Sequence, residues 1–199
     1  MFTFKLFIKI TTKFLIVIFF LNFSTLKALN LDKFNDAKSI ADYFSGTVLL
    51  NQSKYNDSYR FFKKLDGLEE SHQTFSSKYL YSLINSGNFS KAFIYSKKLE
   101  SENLNNFESD LIMGIFHFKN GKFDLSKKYI NRAKKSNFRT ILDAYILETL
   151  FIWSNLENKD FEQAEESLDK LDNRFENLKK IQKAFLNCYF DSSSTKQAF

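Results

Sequence analysis

The stretch MGIFHFKNGKFDLSKKYINRA, Met113 to Ala133, decides how this chain folds. Two apolar segments meet at Asn120-Gly121, where a glycine can take the left-handed conformation that ends a helix. Gly114 and Ser126 are small side chains, as close contact between two helix axes requires. The spacing recurs along the chain. Tyr55, Phe89 and Phe123 stand 34 residues apart, each two residues after Ser53, Gly87 or Gly121. Three residues beyond each aromatic comes Ser58, Ala92 or Ser126, and Gly46, Leu80, Gly114 and Leu65, Leu99, Ala133 keep the same step. A fixed period in this range marks a repeat architecture, whose units bury their apolar faces by stacking on neighbours.

After a four-residue slip near Asn137 to Ala144 a fourth unit follows, with Phe151, Ile152 and Trp153 in its first helix and Phe161, Ala164, Leu168 and Leu171 in its second. Phe185, Leu186 and Tyr189 take the matching places of a fifth, whose second helix begins at Ala198. That fifth unit is either vestigial or the start of a longer array, and its apolar residues favour the longer array, because terminal repeats normally present a polar face.

Composition agrees with helices. The 199 residues include no proline and only five glycines, against 25 phenylalanines. Usual contents are about 5% proline and 7% glycine. Sandwiches that turn on Gly and Pro, collagen-like repeats and flexible linkers are therefore excluded.

The pattern resembles the tetratricopeptide repeat, with its W-x2-L-G-x2-Y, A-x3-F and final proline. Met113 to Ala133 is the most complete copy, with His117 where Tyr is usual; Ser77 to Leu99 has Leu80 in place of the first glycine, and Tyr43 to Leu65 has Ser53 in the turn. No unit has the terminal proline, and none has tryptophan at the template's first-helix place. The resemblance implies an all-α fold, a right-handed α-solenoid of antiparallel helix pairs over residues 39–199, with about four units and a truncated fifth. It further implies a non-enzymatic scaffold whose first helices line a concave groove for a protein or peptide partner. By that analogy the groove is lined by Tyr43, Thr47, Leu50 and Asn51, then Tyr81, Ile84 and Asn85, then Ile115, Phe118 and Lys119, then Trp153 and Leu156. The surface is aromatic and nearly uncharged. Chaperone-binding members hold a C-terminal carboxylate with Lys and Arg early in the groove, where this chain has Tyr43 and Thr47. An apolar or aromatic segment anchored on Trp153, Tyr81 and Phe118 suits it better. The alternative is a spacer, the N-terminal part of a longer solenoid whose groove its own chain fills.

Residues 1–28 read differently. Lys5, Lys9 and Lys13 precede an apolar run from Phe14 to Leu21, and no acid occurs before Asp32. That run is too short for the roughly 20 residues of a membrane span, and it fits the apolar core of a secretory signal peptide cleaved after Ala28. The competing reading is an uncleaved N-terminal membrane anchor. Residues 29–38 are then a linker. Export would place the repeats in the periplasm, with the inner membrane involved only through an uncleaved leader. The leader holds four lysines and no acid, so the formal charge falls from +6 to +2 without it. A nucleic-acid partner needs a basic stripe on the folded part, so none is expected.

No phosphate loop, H-E-x-x-H, G-x-S-x-G or metal-spaced cysteine pair occurs. No catalytic residue, cofactor site or metal site is assigned. His117 reads as a half-buried structural imidazole, and His72, with Glu69 and Glu70, as a solvated loop residue rather than a metal ligand. Cys188, the sole cysteine, reads as buried beside Leu186 and Tyr189. Lys63-Lys64 and Lys97-Lys98, again 34 apart, read as solvated helix ends rather than a binding ridge. Phe89 is expected to fill the space between stacked pairs, so that Phe89→Ala costs about 3 to 5 kcal/mol.

Overall fold

The structure, a computed structural model, describes residue 34 and residues 36–72, 74–135, 140–156 and 161–191. The leader at 1–28, most of the linker, the slip at Asn137 and the fifth unit's Ala198 lie outside the described residues. Among the described residues there is no strand, and the chain is all-helical. The nine α-helices among the described residues are α1 Ala37–Asn51, α2 Tyr55–Phe62, α3 Phe75–Asn85, α4 Phe89–Ser101, α5 Phe107–Lys119, α6 Phe123–Ala133, α7 Ile141–Trp153, α8 Phe161–Asp169 and α9 Glu176–Tyr189. All belong to the unit Ala37–Phe199. Short 3-10 turns extend α2 at Lys63–Leu65 and precede α9 at Asn173–Phe175, and a third stands at Leu68–Glu70.

With no proline to set helix ends, polar side chains and left-handed residues do so. The Asn106 side chain accepts from the Ser109 N–H at 2.9 Å while the Ser109 hydroxyl accepts from the Asn106 N–H at 2.9 Å, a reciprocal cap on α5. Thr140 and Asp143 cap α7 in the same way. At the far ends of α1, α3 and α5, Ser53, Gly87 and Gly121 have φ of 59°, 75° and 67°. The next N–H of each, on Lys54, Asn88 and Lys122, reaches back to the carbonyls of Leu49, Leu83 and His117 at 2.8–2.9 Å. This is one Schellman turn written three times, and in its first copy a serine holds the place that suits glycine.

Contacts between helices repeat at the same step. The Ser58 hydroxyl of α2 donates to the Gly46 carbonyl of α1 at 2.8 Å, and the Ser126 hydroxyl of α6 donates to the Gly114 carbonyl of α5 at 2.9 Å. Both partners are twelve residues apart, and both are buried. Between them Leu80 and Ala92 form the apolar version, and after the slip Ile152 and Ala164 form another, all four buried. A side chain at Gly46 would put its Cβ 2.6 Å from Cε1 of the fully buried Phe62, so glycine here is a matter of space. Each helix packs on its successor, and α1 also packs on α3 and α3 on α5. The α3–α4 core is Leu80, Leu83, Ala92, Tyr95 and Leu99, while Ile130 and Ala133 of α6 meet Leu147 of α7.

Three expectations are corrected. Phe89 is 62% exposed. It is the first residue of α4, and a helical side chain leans toward the N-terminus, so its ring projects past the packed turn. Truncating it therefore leaves little or no cavity and costs well under about 3 kcal/mol. Cys188 is exposed as well, since it lies two residues from the buried Leu186, or about 200° around the helix. The second cation of each lysine doublet is not merely solvated: Lys64 pairs with Asp42 at 3.1 Å, and Lys98 pairs with Asp66 at 2.7 Å and with Glu69.

Candidate functional site

The expected groove residues divide into two neighbourhoods. On α1, Tyr43, Thr47 and Leu50 are half-buried and Asn51 is exposed. On α3, Tyr81 and Asn85 are exposed and the half-buried Ile84 backs onto the α3–α4 core. On α5, Ile115 and Lys119 are exposed, with Phe118 half-buried against Phe123 at 5.6 Å. Because α1 packs on α3 and α3 on α5, these three sets follow one another across adjoining helices. Trp153 and Leu156 sit elsewhere, with α8 and α9. The Trp153 indole N–H donates to Gln182 Oε1 at 2.7 Å, and its ring meets Tyr189 edge-on at 6.1 Å. Leu156 is only 4% exposed and packs with Tyr145, Ile152, Ala164, Leu168, Leu171 and Leu186.

One residue of the first neighbourhood is absent from the sequence-based set. The Lys78 ammonium donates to Tyr43 Oη at 2.9 Å and to Thr47 Oγ1 at 3.4 Å, and it lies 4.8 Å from the centroid of the Tyr43 ring. It therefore ties α3 to the α1 wall. Its signal was present in the repeat: the column Phe44, Lys78, Ile112, Leu150 carries a single cation. On the other edge of α3, the Tyr55 ring meets Tyr81 at 6.0 Å, and the Asn85 amide donates to the Tyr81 carbonyl at 2.8 Å. The Tyr81 ring thus packs on Tyr55 and leaves about half of the residue's surface in water.

Ion pairs bind each second helix to its surroundings. Lys64, Lys98 and Arg132 keep the 34-residue step, and so do Asp42, Ser76 and Asp110, twenty-two residues before each. Arg132 grips the buried Asp110 through Nε at 2.8 Å and Nη2 at 2.6 Å, and Glu100 through Nη1 at 2.8 Å. In the middle copy Ser76 cannot supply a charge. Its hydroxyl accepts from the Asn106 amide at 2.9 Å, and Lys98 turns to Asp66 and the buried Glu69 instead. Glu69 also accepts the Gly67 N–H at 3.0 Å, so its carboxylate is already engaged.

Each histidine packs against a tyrosine. His72 stacks at a tilt on Tyr43, centroids 4.8 Å apart, with Nδ1 3.2 Å from Thr74 Oγ1. His117 is buried and lies parallel to Tyr129 at 5.4 Å. Burial, followed by the nearby Lys122 charge, pushes its pKa down and favours the neutral ring. Among the described residues no group of three or more His, Cys, Asp and Glu could hold a metal ion. A pocket lined by Tyr145, Glu148, Lys170 and Arg174 has a volume of about 200 Å³. Small-molecule sites are generally larger, roughly 300 Å³ upward. Among the described residues no helix is long and apolar enough to cross a membrane.

No family profile, no curated protein and no solved structure matches this chain.

Proposed function

We propose that residues 39–199 form a right-handed α-solenoid of antiparallel, tetratricopeptide-like helix pairs, and that the chain is a non-enzymatic scaffold which binds an apolar or aromatic peptide or helix. The observation that carries this reading is the run of half-exposed apolar side chains on successive first helices, Tyr43 on α1, Tyr81 on α3 and Ile115 on α5, braced by Lys78 and backed by packed cores. Rigid aromatic anchors with water on one face are what binding hot spots are made of. The repeated Gly46–Ser58 and Gly114–Ser126 hydrogen bonds support equivalent pairs along the array. The leader-like residues 1–28 suit an exported protein of the cell envelope, in the periplasm or held at the inner membrane.

The spacer reading has its own support at one end. Trp153 is engaged by Gln182 and Tyr189 of α9, so this chain itself fills that part of the expected groove. The two readings separate in a peptide array probed with the full chain. The scaffold binds aromatic-rich peptides, and Tyr81→Ala or Ile115→Asp weakens that binding at least about tenfold, which is roughly 1.4 kcal/mol. A spacer binds none of them above background.

A further inference from the structure

Seven lysines and arginines among the described residues are buried or half-buried. Six of them have a carboxylate within 4.0 Å: Lys98 pairs with Asp66, Lys127 with Asp124, Arg132 with Asp110, Lys134 with Glu148, Lys179 with Glu176 and Lys183 with Asp169. The seventh, Lys78 on α3, has none among the described residues.

An ammonium has three N–H donors and carries a full charge. Lys78 spends two donors on the neutral oxygens of Tyr43 and Thr47, the second at 3.4 Å. The acids beside it in the sequence are already engaged, Asp42 by Lys64 at 3.1 Å and Glu108 by the Ser77 hydroxyl at 3.0 Å. Drawing a cation from water without a counter-charge is costly, and the fold does not ask for a cation here. In the same column Ile112 and Leu150 pack on the cores before them. The expected groove residues of α1, α3 and α5 bring no acid either, and Lys119 adds a second cation. The wall is therefore apolar and positively charged, and a bound segment complements it with an apolar side chain and a negative charge.

We propose that Lys78 determines the specificity of the groove: its ammonium pairs with an Asp or Glu side chain of the bound peptide, one or two residues from that peptide's aromatic anchor. The assignment rests on the scaffold reading above and deepens it. Its spacing comes from α3, where Lys78 and Tyr81 are three residues apart and so have Cβ atoms about 5–6 Å from each other. An extended peptide advances about 3.3 Å per residue, so one or two residues span that gap. An internal side chain is assigned because Lys78 stands on the middle helix of the three, and a segment that spans α1, α3 and α5 passes it before it ends.

The probes are acetylated nonapeptides with Phe at the centre and Glu one or two residues away, arrayed beside twins in which Gln replaces Glu, each made with an amidated and with a free C-terminus. Titrated with the full chain, the amidated Glu forms are expected to bind at least about fivefold more tightly than their Gln twins, and the advantage shrinks as ionic strength rises. Lys78→Met should abolish the advantage and Lys78→Arg should keep it, with unchanged circular dichroism showing that both variants fold. Equal binding of the twins overturns the proposal. So does an advantage that survives in Lys78→Met: a variant that weakens both twins alike has lost only the brace between α1 and α3. An advantage confined to free C-termini assigns a terminal carboxylate and overturns the side-chain pairing. Binding without preference leaves the scaffold reading intact, whereas failure of every peptide to bind removes that reading and this assignment together.

Discussion

At Gly46 the space left for a side chain is smaller than a methyl group. Its Cβ would meet a ring, Phe62, that is buried on all sides, while the Cβ of a residue at 114 would lie 3.0 Å from the flexible Cγ1 of Ile130. Alanine favours helix over glycine by about 1 kcal/mol, and overpacking costs about 1–3 kcal/mol. Gly46→Ala should therefore destabilise by about 1–2 kcal/mol and Gly114→Ala by less than about 1, measured by urea unfolding. Ser53 provides the opposite case. An L-residue at φ 59° is strained by about 1 kcal/mol, so Ser53→Gly should raise stability by several tenths of a kcal/mol even though it removes a side chain. Both glycine roles were legible in the sequence, because period and residue size together identify a close contact or a left-handed turn. The exposure of Phe89 was not, since the column of Tyr55, Phe89 and Phe123 shows an aromatic without showing which way a first-turn side chain leans.

Between elements the ion pairs act as clasps. Asp110 on α5 is buried and receives two hydrogen bonds from Arg132 on α6. Removing one partner of such a pair leaves the other charge uncompensated, at a cost of about 3–5 kcal/mol when fully buried. Arg132 keeps access to water, so Arg132→Ala should cost about 3 kcal/mol in chemical denaturation, whereas removing the exposed Arg60–Asp57 pair should cost less than about 1. These clasps went unread because lysine doublets at helix ends have a local explanation, and only the contact with a residue twenty-two positions away tells the two apart. The same helices carry a pH dependence. Burial and Lys122 hold the His117 pKa below its unfolded value, so the unfolded chain takes up the proton first. Stability is then full above about pH 6.5 and declines as pH falls below it. For Glu100, burial raises the carboxyl pKa, but the hydrogen bonds from Arg132 and Tyr129 outweigh it and hold the pKa low, adding a second loss as pH falls below about 4.5. The melting temperature should drop in two stages on acidification, and His117→Phe should remove the first.

For the molecule as a whole, the 34-residue period and the helical class were readable before any coordinates, because a repeat writes its contacts several times over. The division of the expected groove residues into two neighbourhoods was not. Trp153 and Leu156 belong to the same columns as the α1, α3 and α5 residues, and only the packing of α8 and α9 shows that this end is occupied by the chain itself. The binding we propose therefore falls on Tyr43, Tyr81 and Ile115, away from Trp153. The most direct test is a photoreactive residue at position 81 in the full-length protein, crosslinked in cells and mapped by mass spectrometry. Adducts to an apolar or aromatic segment of another polypeptide, competed by a peptide of that segment, are the predicted result; adducts confined to this chain would contradict the scaffold and leave a spacer.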